Sequence, residues 1–156
     1  MRLAFLAAPL AFLTLQAAAP RDTATSLTGA WSCQSLAKTT TTMTFAAVPD
    51  GMSMHNAYRT ADGVQGAYDE TYRFDSDTGK WLWSTSDSVT GSTETGTAPP
   101  WTGKTWTFNG TRHASAKRAE NIQMVYTRFS ADSFRRVFLT DRDGTWETTS
   151  SSVCKR

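Results

Sequence analysis

From residue 28 onward the chain runs in short stretches with an apolar or aromatic residue at every second position, separated by clusters of Gly, Pro, Asp and Ser. Period two is the repeat of a half-buried strand, because successive side chains leave opposite faces of the sheet. The stretches are 28–37, 41–48, 52–59, 64–74, 80–89, 92–97, 104–110, 121–129, 133–140 and 145–154. Pro49-Asp50-Gly51, Ala61-Asp62-Gly63, Ser76-Asp77-Thr78-Gly79 and Arg142-Asp143-Gly144 between them are hairpin chemistry, since Gly accepts the positive φ of a tight turn. Ala98-Pro99-Pro100-Trp101-Thr102-Gly103 cannot continue a ladder, because proline has no N–H to donate. Residues 113–120, the only helix-tolerant stretch, read as a loop. No alternation of strands with helices appears.

Closure follows from parity. Hairpins make every neighbouring pair of strands antiparallel, and first and last strands can pair antiparallel only if the count is even. The short stretch 92–97 makes ten, so the fold expected is all-β: a single antiparallel up-and-down barrel of about ten strands, which leaves no exposed edge. Cys33 and Cys154, the two cysteines of the chain, stand in its first and last stretches. A disulfide between them joins those strands. With Cys33 opposite Cys154, register sets Trp31 opposite Arg156, on the same face. A guanidinium over an indole is a favourable contact of ~0.5–2 kcal/mol.

Export explains why the bridge forms. Arg2, the apolar run 3–15 and Ala17-Ala18-Ala19 make the pattern of a cleaved signal peptide. The run is too short for a membrane span of ~20 residues, so the mature chain is expected to carry none. Residues 1–19 are expected to be removed, 20–27 to be a flexible arm and 28–156 to form the barrel. The protein is then secreted or periplasmic, where a cysteine pair oxidises. Sixteen Lys and Arg against fourteen Asp and Glu give a nearly balanced charge, which excludes a nucleic-acid binder with a concentrated basic face. Six Trp, eight Phe and four Tyr supply a bulky core, and abundant Thr suits strands. A monomer is expected.

Gly29-Ala30-Trp31 at the start of the first strand resembles the G-x-W motif of lipocalins and related calycin barrels. In that superfamily the Trp closes one barrel end, and a basic residue from near the C-terminus packs across it; Arg156 matches that position. More closely, the mature chain resembles a group of secreted bacterial lipocalin-like proteins of unknown function. The matching pieces are Trp31-Ser32-Cys33, Asp69-Glu70-Thr71-Tyr72, Ala98-Pro99-Pro100-Trp101-Thr102-Gly103, Asp143-Gly144-Thr145-Trp146 and Cys154-Lys155-Arg156. The resemblance implies a barrel and carries no activity with it.

Chemistry is sparse. His55 faces away from Met54 and Tyr58, and His113 is placed in a loop; both read as structural or exposed. The ten-stranded haem-binding nitrobindin barrels have a C-terminal His with no match here. No convergent ligand set for a metal is evident, and no cofactor is expected. Asp69 and Glu70 leave opposite faces of one strand and cannot work as an acid–base pair. No catalytic motif is present, so no enzyme activity is assigned.

A lumen lined by Phe45, Met54, Tyr58, Tyr68, Tyr72, Trp81, Trp83, Trp106, Phe108, Met124, Tyr126, Phe134, Phe138 and Trp146 suits a small apolar ligand at a barrel mouth. Arg128 and Arg136 share those faces, and an inward Arg beside Tyr resembles the carboxylate anchor of fatty-acid-binding barrels. Two alternatives stand beside that reading. The lumen could be packed solid, with the arginines outside or paired with Asp69, Glu70 or Asp87. The chain could instead be an interaction module, such as a protease inhibitor, working through an ordered arm at 20–26 or an exposed apolar loop at 99–101. A mouth enzyme would need a polar cluster with shifted pKa values.

Overall fold

The structure, a computed structural model, describes residues 26–87, 91–114 and 118–156. The expected signal peptide, residues 20–25 of the arm, the end of the fifth stretch at Val89 and residues 115–117 of the expected loop lie outside the described residues. Ten strands follow one another: β1 (Gly29–Ser35), β2 (Thr40–Val48), β3 (Gly51–Arg59), β4 (Gln65–Asp75), β5 (Lys80–Ser86), β6 (Thr93–Ala98), β7 (Thr105–His113), β8 (Glu120–Ser130), β9 (Ser133–Arg142) and β10 (Thr145–Lys155). Each pairs antiparallel with its neighbours in sequence, and β1 pairs with β10 to close the barrel. The short strand β6 makes the count even, as closure requires.

Cys33 lies opposite Cys154 in the β1–β10 ladder and is bonded to it, at a sequence separation of 121. Ser32 faces Lys155 one step along, which brings Trp31 and Arg156 together, the guanidinium carbon 4.5 Å from the indole centroid.

One end of the barrel is sealed by side chains. The Trp31 indole donates to the Leu27 carbonyl at 2.7 Å, with Leu27 buried beside it. Arg156 holds the seal from outside, donating to the carbonyls of Thr28 and Ala131 and to the Asp132 carboxylate. The Pro-Pro loop after β6 folds Trp101 into the same end, where it stacks on Trp106 with ring centroids 5.2 Å apart. Trp106 in turn donates to the Pro99 carbonyl at 3.0 Å. Inward from this seal Phe45, Tyr72, Phe108, Tyr126 and Phe134 fill the lumen, largely edge to face (Trp31–Phe134, Phe45–Phe134, Tyr72–Phe108), the arrangement that suits the ring quadrupoles.

Glycine shapes the opposite wall. Gly96 and Gly110 face each other across β6 and β7. A side chain on Gly96 would press on the Trp83 ring, and one on Gly110 would run into the Thr95 carbonyl. Gly96 leaves room for the indole of Trp83, which is fully buried, and Gly110 lets β6 and β7 approach closely.

Two expectations need correction. Trp146 points outward and is 43% exposed. A bulge between Thr148 and Ser150 inserts a residue into β10, so the inward parity set by Cys154 reverses before Trp146, which pairs with the outward Asp141. His113 ends strand β7 instead of lying in a loop. The strand runs past Gly110 because Arg112 turns inward to meet Glu94 on β6 and Glu120 on β8.

Candidate functional site

The end of the barrel away from Trp31 is a mouth, floored by a buried ion pair. Glu70 on β4 and Arg136 on β9 lie 66 residues apart in sequence and are almost fully buried. Glu70 shares its face with Tyr68 and Tyr72, and Arg136 shares its face with Phe134 and Phe138, so strand parity turns both inward. One Glu70 oxygen accepts from Arg136 Nη2; the other accepts from the Tyr72 hydroxyl and from Trp83 Nε1 at 3.0 Å. Tyr72 and Tyr126 share a hydrogen bond of 2.6 Å. The remaining Arg136 donors reach the Tyr68 hydroxyl at 3.3 Å and the Met124 sulfur at 3.2 Å. Its cation also lies 4.6 Å from the Phe138 ring centroid and 5.5 Å from that of Tyr126. A buried charge without such partners would cost several kcal/mol.

Electrostatics follow from this packing. Burial works against the Arg136 charge, but Glu70 and the surrounding phenols outweigh it and hold the guanidinium well above its usual range. Burial, followed by the Glu70 charge, raises Tyr72 well above the ordinary phenol value. Burial raises Tyr126 and Tyr68 as well. The unfolded chain gives up these phenolic protons near pH 10, whereas the folded chain holds them to higher pH. Between those values the folded state binds more protons, so stability is intact below about pH 10 and falls as pH rises further. In an alkaline titration Tyr68, Tyr72 and Tyr126 are expected to ionise together with loss of circular dichroism; smooth phenolate formation in a still-folded protein would contradict this.

Above the floor the lumen opens. A cavity of about 410 Å³ is bounded by Leu36, Thr41, Asn56, Tyr58, Tyr68, Arg136, Phe138 and the 148–152 segment. A second, of about 300 Å³, shares Tyr68, Phe138, Thr149 and Ser150 with it and has Glu70, Asp87, Glu94 and Arg112 on its other side. Arg112 donates to Glu94 there at 2.5 Å. Asn56 stands at the wall of the larger cavity, only 3% exposed. Its amide bears on the Tyr68 hydroxyl, yet its Oδ1 has no hydrogen-bond partner. A larger hollow, about 850 Å³, lies outside the barrel across β3–β7. It is a trough of small hydroxyl side chains in register, Ser53, Thr71, Ser84, Thr95 and Thr111.

The sequence-expected ligand residues therefore separate into layers. Arg136, Tyr58 and Tyr68 line the mouth cavity. Tyr72, Tyr126, Met124 and Trp83 lie beneath it in the ion-pair network, fully buried. Trp106 belongs to the sealed end. Arg128 is there too, 4.7 Å from the Trp101 ring centroid and bonded to the Ser26 hydroxyl. Trp101 is 4% exposed and plugs the barrel end, which leaves Pro99 as the exposed residue of the 99–101 loop. Asn56 and the Glu94–Arg112 pair are additions. Their signal was available, since Asn56 continues the inward row of Met52 and Met54, and Glu94 that of Ala98. His55 is exposed and bonded to Asp69 at 2.7 Å. Among the described residues no three His, Cys, Asp or Glu side chains converge on a metal position, and no helix is long and apolar enough to cross a membrane. No protein-family model matches the chain, and no curated protein matches it.

Proposed function

We propose that this is an exported binding protein that holds a small apolar or amphiphilic molecule in the mouth of its barrel. The observation that carries the reading is the cavity of about 410 Å³ with an unpartnered, buried amide oxygen at its wall. A solidly packed barrel would have no use for either. The lining mixes ring and methyl surface from Tyr58, Phe138 and Met43 with hydroxyls and one amide, the combination by which ligand pockets bury a molecule and orient it. The disulfide is compatible with an extracytoplasmic setting, and the apolar 3–15 run supplies the means of export.

Titration with N-phenyl-1-naphthylamine tests it. Saturable fluorescence enhancement at one probe per chain is expected. Ser150→Trp should abolish it, because Ser150 lies opposite Phe138 and borders both cavities, while the melting temperature holds. No saturable binding, or equal binding by the variant, would remove the mouth as the site.

A further inference from the structure

We infer that the mouth selects neutral ring compounds bearing a hydrogen-bond donor, an O–H or N–H, and discriminates against carboxylates. This rests on the mouth being a ligand site and names what the site takes. Asn56 lines the cavity and its Oδ1 is a buried acceptor without a partner; leaving such an atom unpaired costs stability that a donor brought against it restores. The cation at the floor of this cavity already has partners: Arg136 gives Nη2 to Glu70 and Met124, Nη1 to Tyr68 and Nε to Met124. A carboxylate arriving there meets a guanidinium whose charge is cancelled, with the Glu70 carboxylate directly behind it. Like charges brought close together repel. The ring component has a place as well, between Tyr58 and Tyr68, whose centroids are 6.4 Å apart, and Phe138. At about 410 Å³ the cavity lies near the small end of ligand pockets (~300–1,000 Å³), which suits one or two fused rings.

Calorimetric titration of the purified, disulfide-bonded protein with 1-naphthol and 1-naphthoate separates the possibilities, since the two share a ring system and differ in donor and charge. The wild type is expected to bind 1-naphthol at least about tenfold more tightly than 1-naphthoate. Asn56→Leu should weaken 1-naphthol about tenfold and leave 1-naphthoate unchanged. The same variant removes an unpaired buried polar atom, so its melting temperature should hold or rise, which separates lost binding from lost fold. Glu70→Gln, assayed at a temperature where it is folded, should free the guanidinium and raise 1-naphthoate affinity about tenfold. Undiminished 1-naphthol binding by Asn56→Leu, or a wild type that prefers 1-naphthoate, would overturn the inference. If N-phenyl-1-naphthylamine binds and neither naphthyl compound displaces it, the donor selection falls while the mouth remains a ligand site. If none of the three binds, the mouth itself falls.

Discussion

Removing the disulfide by Cys33→Ser with Cys154→Ser is expected to lower the melting temperature by roughly 10–20 °C in oxidising buffer. The bond spans 121 residues, so it constrains nearly the whole unfolded barrel, and a loop of that length corresponds to about 4–5 kcal/mol in the chain-entropy model. Its position magnifies the effect. The β1–β10 seam registers only from Ser32–Lys155 to Ser35–Ser152, whereas β9 and β10 register along almost their full length. The bridge thus clamps the shortest joint in the barrel, directly beside Trp31 and its packing on Phe134. Hydrogen exchange in the variant should quicken first in β1 and β10, before the rest of the sheet. Wild-type protein reduced in denaturant and refolded under reductant should melt with the variant. Equal melting of oxidised wild type and variant would mean that the closed seam needs no covalent support.

Where apolar residues mark every second position, face and register were readable from the chain. Trp31, Cys33, Met43 and Phe45 point inward as their spacing predicts, and strand parity together with the cysteine pair led to a closed ten-strand barrel. Where that mark is missing, face and register are not legible. The run Thr148-Thr149-Ser150-Ser151-Ser152 has no apolar residue to show which face it presents, so nothing in it announces the bulge, and carrying the parity of Cys154 through it puts Trp146 on the wrong side. Register is weakly specified in such polar stretches. Partnership is a separate problem. Parity turns Glu70 and Arg136 inward, but which inward groups meet across the lumen depends on strand tilt and barrel closure, which no local pattern encodes. The same holds for Arg128: its face was legible, and its place at the sealed end beside Trp101 was not.

Arg136→Met is expected to cost about 3–5 kcal/mol in urea unfolding, because it strands the Glu70 carboxylate in a dry interior with only Tyr72 and Trp83 to solvate it. Combining it with Glu70→Leu removes the charge as well as the pair, and buried pairs replaced by apolar groups of similar volume are often neutral or better. Here recovery should be partial. Tyr72 keeps a partner in Tyr126, but Trp83 Nε1 loses its acceptor and is left buried without one, a cost of about 1–3 kcal/mol. Adding Trp83→Phe removes that donor, so the triple variant should be more stable than the double despite the smaller ring. The order expected is therefore wild type, triple, double, then Arg136→Met. Recovery with Glu70→Leu but none on adding Trp83→Phe would mean that the indole finds another partner. If the double is no more stable than Arg136→Met, the lost packing of the long Arg side chain outweighs the stranded charge. In that case the floor of the mouth is held by shape, and freeing Arg136 through Glu70→Gln would disturb the cavity wall instead of creating an anion site.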